Sequence, residues 1–172
     1  MTQNVELNHF SNIVCIFGAV TNLNGVISLY TPNGNQITCS ASTLVTNEKD
    51  VSKIEVPAIT LDSFAMAKEN KIPRVDLIKI DTERTEHIVL DGASRIIERD
   101  KPTIICEVLP GSIERCLQSH FDKMGTYIYY HITNDGLIMK KSIEGDPNLI
   151  DRNYLFINNL QERGWLDKWI KK

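Results

Sequence analysis

The sequence predicts an α/β protein. Residues 75–81 (VDLIKID) and 103–108 (TIICEV) are almost continuously apolar, as in parallel strands that are buried on both faces. Between them, residues 85–99 place apolar side chains at helical spacing, so the order is strand, helix, strand. The chain has 172 residues, a length that suits one domain with its own core, and we assign residues 1–172 to a single domain.

The N-terminal part of the chain is predicted to be mostly extended. Residues 12–20 (NIVCIFGAV) are apolar and β-branched and are interpreted as a buried strand. Residues 25–30 and 36–39 flank a Pro-Asn-Gly-Asn turn and predict a hairpin, and residues 43–52 are polar and are interpreted as a loop. Pro57 lacks a backbone N–H, so the extended segment around it is expected at the edge of a sheet.

The remaining elements alternate between the two periodicities. A short helix is expected over residues 61–70, and the long helix at 85–99 ends before Pro102. Residues 112–123 predict another helix after the Pro-Gly break. Three more strands are expected, at residues 126–133, 137–141 and 153–157.

Composition excludes several classes of function. The 19 Lys and Arg against 22 Asp and Glu give a net charge of −3, so no basic field is available to bind nucleic acid. No apolar run approaches the roughly 20 residues that a membrane-spanning helix needs, and the first residues do not resemble a secretory signal. The four cysteines form no CxxC pair and are interpreted as structural. We therefore expect a soluble cytoplasmic protein.

Acidic residues mark the ends of the two most apolar strands. Asp81 and Glu83 follow one strand, and Glu107 ends the other. Ligands of open parallel sheets bind beyond the carboxyl ends of the strands, so these acids are candidates for a general base or a metal site. Glu86 is instead explained as an acid in the first turn of a helix.

Three stretches resemble the FkbM family of S-adenosylmethionine-dependent methyltransferases: VPAITLDSF (residues 56–64), DLIKIDTERTEHIVLDGA (76–93) and KPTIICE (101–107). Weaker similarity covers most of the chain, from residue 4 to the RNYLFI stretch. The positions that match the family pattern, in order, are Leu61, Asp62, Lys79, Asp81, Glu83, Glu86, Leu90, Gly92, Ala93, Pro102 and Glu107.

The resemblance implies a Rossmann-like class I methyltransferase sheet, mostly parallel with an antiparallel edge. It also shows two departures. Arg84 stands where the family usually has Gly, and no GxG cofactor loop occurs in the chain. Placed on the family pattern, the chain is N-terminally truncated and lacks the first two strands. Residues 12–20 and 75–81 are then expected either to be separated by a gap or to pair with each other. Exposed sheet edges could support self-association, and S-adenosylmethionine binding should be weak or absent.

The function implied by the resemblance is O-methylation of a sugar or secondary-metabolite hydroxyl. Asp81 is the candidate base or acceptor-orienting group, with Glu83 and Glu107 as supporting acids and Lys79 as their partner. Ser40 and Ser42 are candidates for the adenine side of the cofactor. The acceptor is a small molecule or a glycan, and no metal ligand is assigned.

Two other functions compete with this hypothesis. Asp81-x-Glu83-x-Thr85 resembles the first motif of haloacid-dehalogenase-type Mg²⁺-dependent phosphatases, and Gly145-Asp146 with Asp151 resembles their distal acidic motif. The other alternative is a non-catalytic methyltransferase remnant, which the missing glycine loop favours.

Overall fold

The computed structural model describes residues 2–32, 51–70, 72–111, 113–159 and 164–171. The helices are α1 (Thr2–Leu7), α2 (Leu61–Met66), α3 (Glu86–Asp91), α4 (Ser94–Asp100) and α5 (Ile113–Met124). The strands are β1 (Ala19–Val20), β2 (Gly25–Pro32), β3 (Val51–Ile59), β4 (Leu77–Ile80), β5 (Thr103–Glu107), β6 (Tyr127–Thr133), β7 (Gly136–Lys140) and β8 (Asn153–Asn158). Single 3₁₀ turns lie at Lys68–Asn70 and Gly164–Leu166.

The strands form two sheets. The smaller sheet has three strands in the order β1-β3-β2, and the larger has five in the order β4-β5-β8-β6-β7. Among the described strands β1 and β4 do not pair with each other, so of the two expected arrangements the chain adopts the one in which they lie apart. The mixed α/β class is confirmed.

The expected antiparallel edge is present, because β7 lies at one edge of the five-stranded sheet and is antiparallel to β6. The pairing is otherwise less parallel than expected: β4–β5 is the one parallel pair of neighbours among the described strands of this sheet, and β8 is antiparallel to both β5 and β6. A second antiparallel strand therefore lies inside the sheet. An apolar strand that is buried on both faces has the same kind of composition whether it runs parallel or antiparallel to its neighbours. The composition therefore does not predict the direction of the strand.

The strand predicted at residues 12–20 is confirmed only at Ala19–Val20. Residues 12–18 take no regular structure, and Val14 and Phe17 are 80% and 81% exposed. β-branched residues favour an extended backbone, but a strand also needs a neighbour to satisfy its backbone groups. Within the described part of the chain, no strand pairs with this segment.

Pro57 is not on an edge strand, because β3 is the central strand of the smaller sheet. It pairs with Val26 of β2 on one side, while the pairing with β1 begins only at Ala58. The missing N–H of Pro57 therefore removes no bond from the β1 ladder. The hairpin expected around residues 32–39 is confirmed only in its first strand, β2, since its other residues lie outside the described ones.

The single helix expected over residues 85–99 is two helices, α3 and α4, with Gly92 and Ala93 between them. A Cβ built on Gly92 would lie 2.1 Å from the backbone oxygen of Thr21, so only glycine fits this contact. The Asp62 carboxylate of α2 accepts hydrogen bonds from the backbone N–H groups of Ile96 and Arg95, at 2.9 and 3.0 Å. Asp62 thus caps α4 from outside the helix.

The core occupies both faces of the five-stranded sheet. Successive side chains of β8 alternate between them: Tyr154 and Phe156 pack with the helices, and Leu155 and Ile157 pack with Leu166 on the opposite face. Phe156 stacks on Phe121 of α5 with 4.1 Å between ring centroids. This packing fixes the sheet against α3, α4 and α5.

Of the described cysteines, Cys106 is fully buried in β5, as expected of a structural cysteine, and burial raises the pKa of its thiol. Cys15 and Cys116 are also free, and Cys39 lies outside the described residues. None of the described helices is long and apolar enough to span a membrane.

We predict that Gly92→Ala destabilises the protein by about 1–3 kcal/mol, the usual cost of forcing extra atoms into a packed site. Urea unfolding followed by circular dichroism measures this. Gly164→Ala is the matched control, because a Cβ at Gly164 meets nothing within 4 Å. Equal midpoints for the two variants would show that Thr21 can move away at no cost.

Candidate active site

The carboxyl ends of β4 and β5 bring the three predicted acids together. The strands are parallel neighbours in which Ile80 pairs with Cys106, so the residues that follow them meet at one edge of the sheet. One carboxylate oxygen from each of Asp81, Glu83 and Glu107 lies within 4.8 Å of the other two. The expected convergence of these acids is confirmed in the geometry, while their catalytic roles stay predictions.

Glu107 is the buried member of the cluster, with 4% of its surface exposed. Its Oε1 lies 3.1 Å from Nη1 of Arg152, while its Oε2 is buried and accepts no hydrogen bond from any described residue. Burial, and next the charge of Asp81, raises the pKa of Glu107. The free-energy cost of burying the Glu107 carboxylate is therefore only partly compensated by Arg152.

Asp81 is the accessible member of the cluster. Its carboxylate lies 3.2 Å from Nζ of Lys79, which also donates to the backbone oxygen of Ile80. Both side chains are about half exposed, at 45% for Lys79 and 56% for Asp81. Asp81 can thus contact a molecule arriving from solvent, and Lys79 is its partner, as the sequence predicted.

Glu86 stabilises the loop between β4 and α3. It is 1% exposed, and its Oε1 accepts the backbone N–H groups of Thr82 at 2.9 Å and Arg84 at 3.2 Å. The loop is strained, with φ values of 51° at Glu83 and 77° at Arg84. Glu86 is therefore a positioning residue, as expected of an acid with a local structural role.

Arg84 occupies the position where the resemblance leads one to expect glycine. Its left-handed backbone is the conformation that glycine adopts without strain. Its side chain reaches the loop after β5, where Nη1 donates to the backbone oxygen of Pro110 at 3.2 Å. This contact joins the two loops that follow β4 and β5.

Arg152 and Asn153 were missed by the sequence analysis. Asn153 pairs directly with Glu107 in the β5–β8 register, and Arg152 comes just before it in the chain. The sequence did indicate that a partner was needed, because a Glu that ends a buried strand is costly unless a cation pairs with it. The partner could not be named, because it depends on β8 lying beside β5.

Other candidates are not brought to the cluster. Ser40 and Ser42 lie outside the described residues. Asp146, from the phosphatase-like motif, accepts hydrogen bonds from the backbone N–H groups of Asn148, Ile150 and Asp151. Its carboxylate is engaged within its own loop, so no described contact supports a second acidic motif beside Asp81.

A cavity of 610 Å³ opens beside the loop after β5. Gly111 lines it and lies next to Arg84, with 3.8 Å between a Cβ built on Gly111 and Arg84 Nη1. The cavity carries both charges and polar groups, and its other lining residues are Glu114, Arg115, Ile143, Glu144 and Gly145. It has the size of a small-molecule site.

The family model for the methyltransferase FkbM domain matches residues 5–135 of the chain. The chain belongs to the FkbM methyltransferase family. The matched range contains all three acids of the cluster and ends before Arg152 and β8. No curated protein and no solved structure matches the chain.

Methyltransferases of this family typically use S-adenosylmethionine. The carboxylates of the cluster can accept hydrogen bonds from hydroxyl groups, whether of the cofactor's ribose or of another ligand. The loops after β4 and β5 contain one described glycine, Gly111, whose N–H donates to Glu114 at 2.9 Å. No glycine-rich cradle for a nucleoside is thus found among the described residues.

We predict that Arg84→Gly is more stable than Arg84→Ala by about 1 kcal/mol, because a left-handed backbone costs an L-residue about that much. Chemical denaturation of the two variants measures the difference.

The same pair of substitutions at Arg95, in α4, provides the control. There glycine should be the less stable replacement by about 1 kcal/mol, as in any helix. A destabilising effect of glycine at both positions would contradict a strained Arg84.

Proposed function

We propose that this FkbM-family protein is an S-adenosylmethionine-dependent methyltransferase that methylates a hydroxyl group of a sugar or secondary metabolite. The observation that carries the proposal is the meeting of Asp81, Glu83 and Glu107 at the carboxyl ends of β4 and β5 in a chain of this family. This is the edge of an open α/β sheet where ligands bind.

The cofactor would supply an electrophilic methyl group on its sulfonium. In such a transfer a C–O bond to the acceptor forms as the C–S bond breaks, and the hydroxyl proton goes to a base. Asp81 is the group proposed to accept that proton, since it is the exposed carboxylate of the cluster. Lys79, at 3.2 Å, would hold Asp81 in one orientation.

The proposed acceptor site is the 610 Å³ cavity beside Gly111. Glu114, Glu144 and Arg115 can exchange hydrogen bonds with several hydroxyl groups, which supports a sugar or a polyhydroxylated metabolite. Arg84 bridges from the loop of Asp81 to Pro110, and its Nη1 lies 3.8 Å from a Cβ built on Gly111, which lines this cavity.

The location of the protein, the class of its acceptor and its self-association are part of the same proposal. A cytoplasmic location and a small-molecule or glycan acceptor agree with the net charge of −3. Self-association through the outer edge of β4 is proposed because no described strand covers that edge and Leu77 is 56% exposed there.

Transfer of a labelled methyl group from S-adenosylmethionine to a panel of sugars and hydroxylated metabolites tests the function. Asp81→Asn should lower the rate by about 100-fold or more, the usual contribution of a general base. The control is Asp76→Asn, an exposed acid that pairs with Arg74 before β4. Absence of transfer to every hydroxylated acceptor, at a cofactor concentration at which titration shows binding, would contradict the proposal and favour a non-catalytic remnant.

Cofactor affinity is a separate prediction. Because the chain has no GxG loop, isothermal titration of the 172-residue protein with S-adenosylmethionine should show weak or no binding. A dissociation constant in the micromolar range or tighter would contradict this. S-adenosylhomocysteine, titrated in parallel, shows whether the result depends on the sulfonium charge.

A further inference from the structure

We propose that Asp81, Glu83 and Glu107 bind a divalent cation of the oxygen-preferring class, Mg²⁺ or Ca²⁺. Their three carboxylate oxygens lie within 4.8 Å of one another. Carboxylates are the usual protein ligands of these hard cations. The sequence left these acids as candidates for a general base or a metal site, and the inference that they share one ion comes from the geometry.

The spacing of the oxygens suits such an ion. Two ligands on opposite sides of a cation are separated by twice the metal–oxygen distance, about 4.1 Å for Mg²⁺ and about 4.8 Å for Ca²⁺. The upper limit of 4.8 Å equals the separation across Ca²⁺ and exceeds the separation across Mg²⁺, so the spacing suits Ca²⁺, and binding of Mg²⁺ would require any pair of oxygens more than about 4.1 Å apart to move closer together. The exposed position of Asp81 leaves one side of the site for water or another oxygen ligand.

A second observation points to a missing ligand. Glu107 is 96% buried, and its Oε2 accepts no hydrogen bond from the described residues although Oε1 is paired with Arg152. A buried carboxylate oxygen without a partner destabilises the folded protein. A cation bound to Oε2 would remove that destabilisation.

Three more buried side-chain oxygens that lack a partner among the described residues belong to segments next to the cluster. Within the described residues they include Oε2 of Glu86, Oγ1 of Thr82 and Oδ1 of Asn153. Thr82 and Glu86 belong to the loop that carries Glu83, and Asn153 stands opposite Glu107 across the β5–β8 ladder. Buried polar atoms without partners are uncommon in folded proteins.

The balance of charge also favours a cation. Two basic groups, Lys79 and Arg152, pair with Asp81 and Glu107. The cluster further contains Glu83, and the negative charges of Glu83 and Glu86 both act on Glu107. Among the described residues, the negative charge of the four carboxylates exceeds the positive charge of Lys79 and Arg152, while Arg84 of the same loop donates to Pro110. A divalent ion would offset the remaining negative charge.

The inference does not depend on methyl transfer. Cation binding can be measured on the 172-residue protein alone, without cofactor or acceptor. A protein that binds the cation but transfers no methyl group would leave the site intact and overturn only the proposed function. The reverse result would overturn only the site.

The test is titration of chelator-treated protein with Ca²⁺ and Mg²⁺ by calorimetry, and with Mn²⁺ by electron paramagnetic resonance. We expect one saturable site. Glu83→Gln and Asp81→Asn should each weaken Mn²⁺ binding by about tenfold or more, since even outer-shell changes at metal sites cost about that much. Both residues are at least partly exposed, so the variants should fold.

Glu98→Gln is the matched control, an exposed acid in α4 outside the cluster, and it should bind Mn²⁺ like the parent protein. Glu107→Gln extends the series, with circular dichroism to verify its fold. The inference is overturned if no cation binds below about 10 mM, weaker than known protein calcium sites. It is equally overturned if Glu83→Gln and Asp81→Asn bind like the control.

Discussion

Asp62 and Gly92 form the junction on which the arrangement of the molecule depends. The Asp62 carboxylate caps α4, and its backbone N–H donates to the oxygen of Gly92 at 2.9 Å. Gly92 in turn packs against the backbone of Thr21, next to β1 of the smaller sheet. One carboxylate and one missing Cβ thus join the smaller sheet, α2 and the helices that cover the larger sheet.

The acids at the sheet edge depend on this junction through α3. Gly92 ends α3, and Glu86 begins it. Because Glu86 holds the backbone of the preceding loop, the position of the helix sets the position of Glu83. Asp81 and Glu107 are placed independently by the parallel pairing of β4 with β5. The family pattern in this region therefore combines framework residues with the acids that gather at the carboxyl ends of the strands.

Predictions from the sequence succeeded where local chemistry decides the outcome. The apolar runs became β4 and β5, and the acids that follow them met as expected. Predictions failed where the local structure depends on a segment that is distant in the chain. Residues 12–18 have strand composition but no described strand beside them, and the helix expected over residues 85–99 is interrupted by contact with Thr21. Neither neighbour is visible in a local pattern.

The sequence by itself determined the α/β class, the FkbM resemblance and the three acids, because periodicity and residue type are local properties. Only the tertiary structure decided the order and direction of the strands, with β8 antiparallel between β5 and β6. That order sets Arg152 against one oxygen of Glu107 and leaves the other without a partner among the described residues. Whether a buried charge is compensated depends on contacts between segments far apart in the chain, and folding alone brings those segments together.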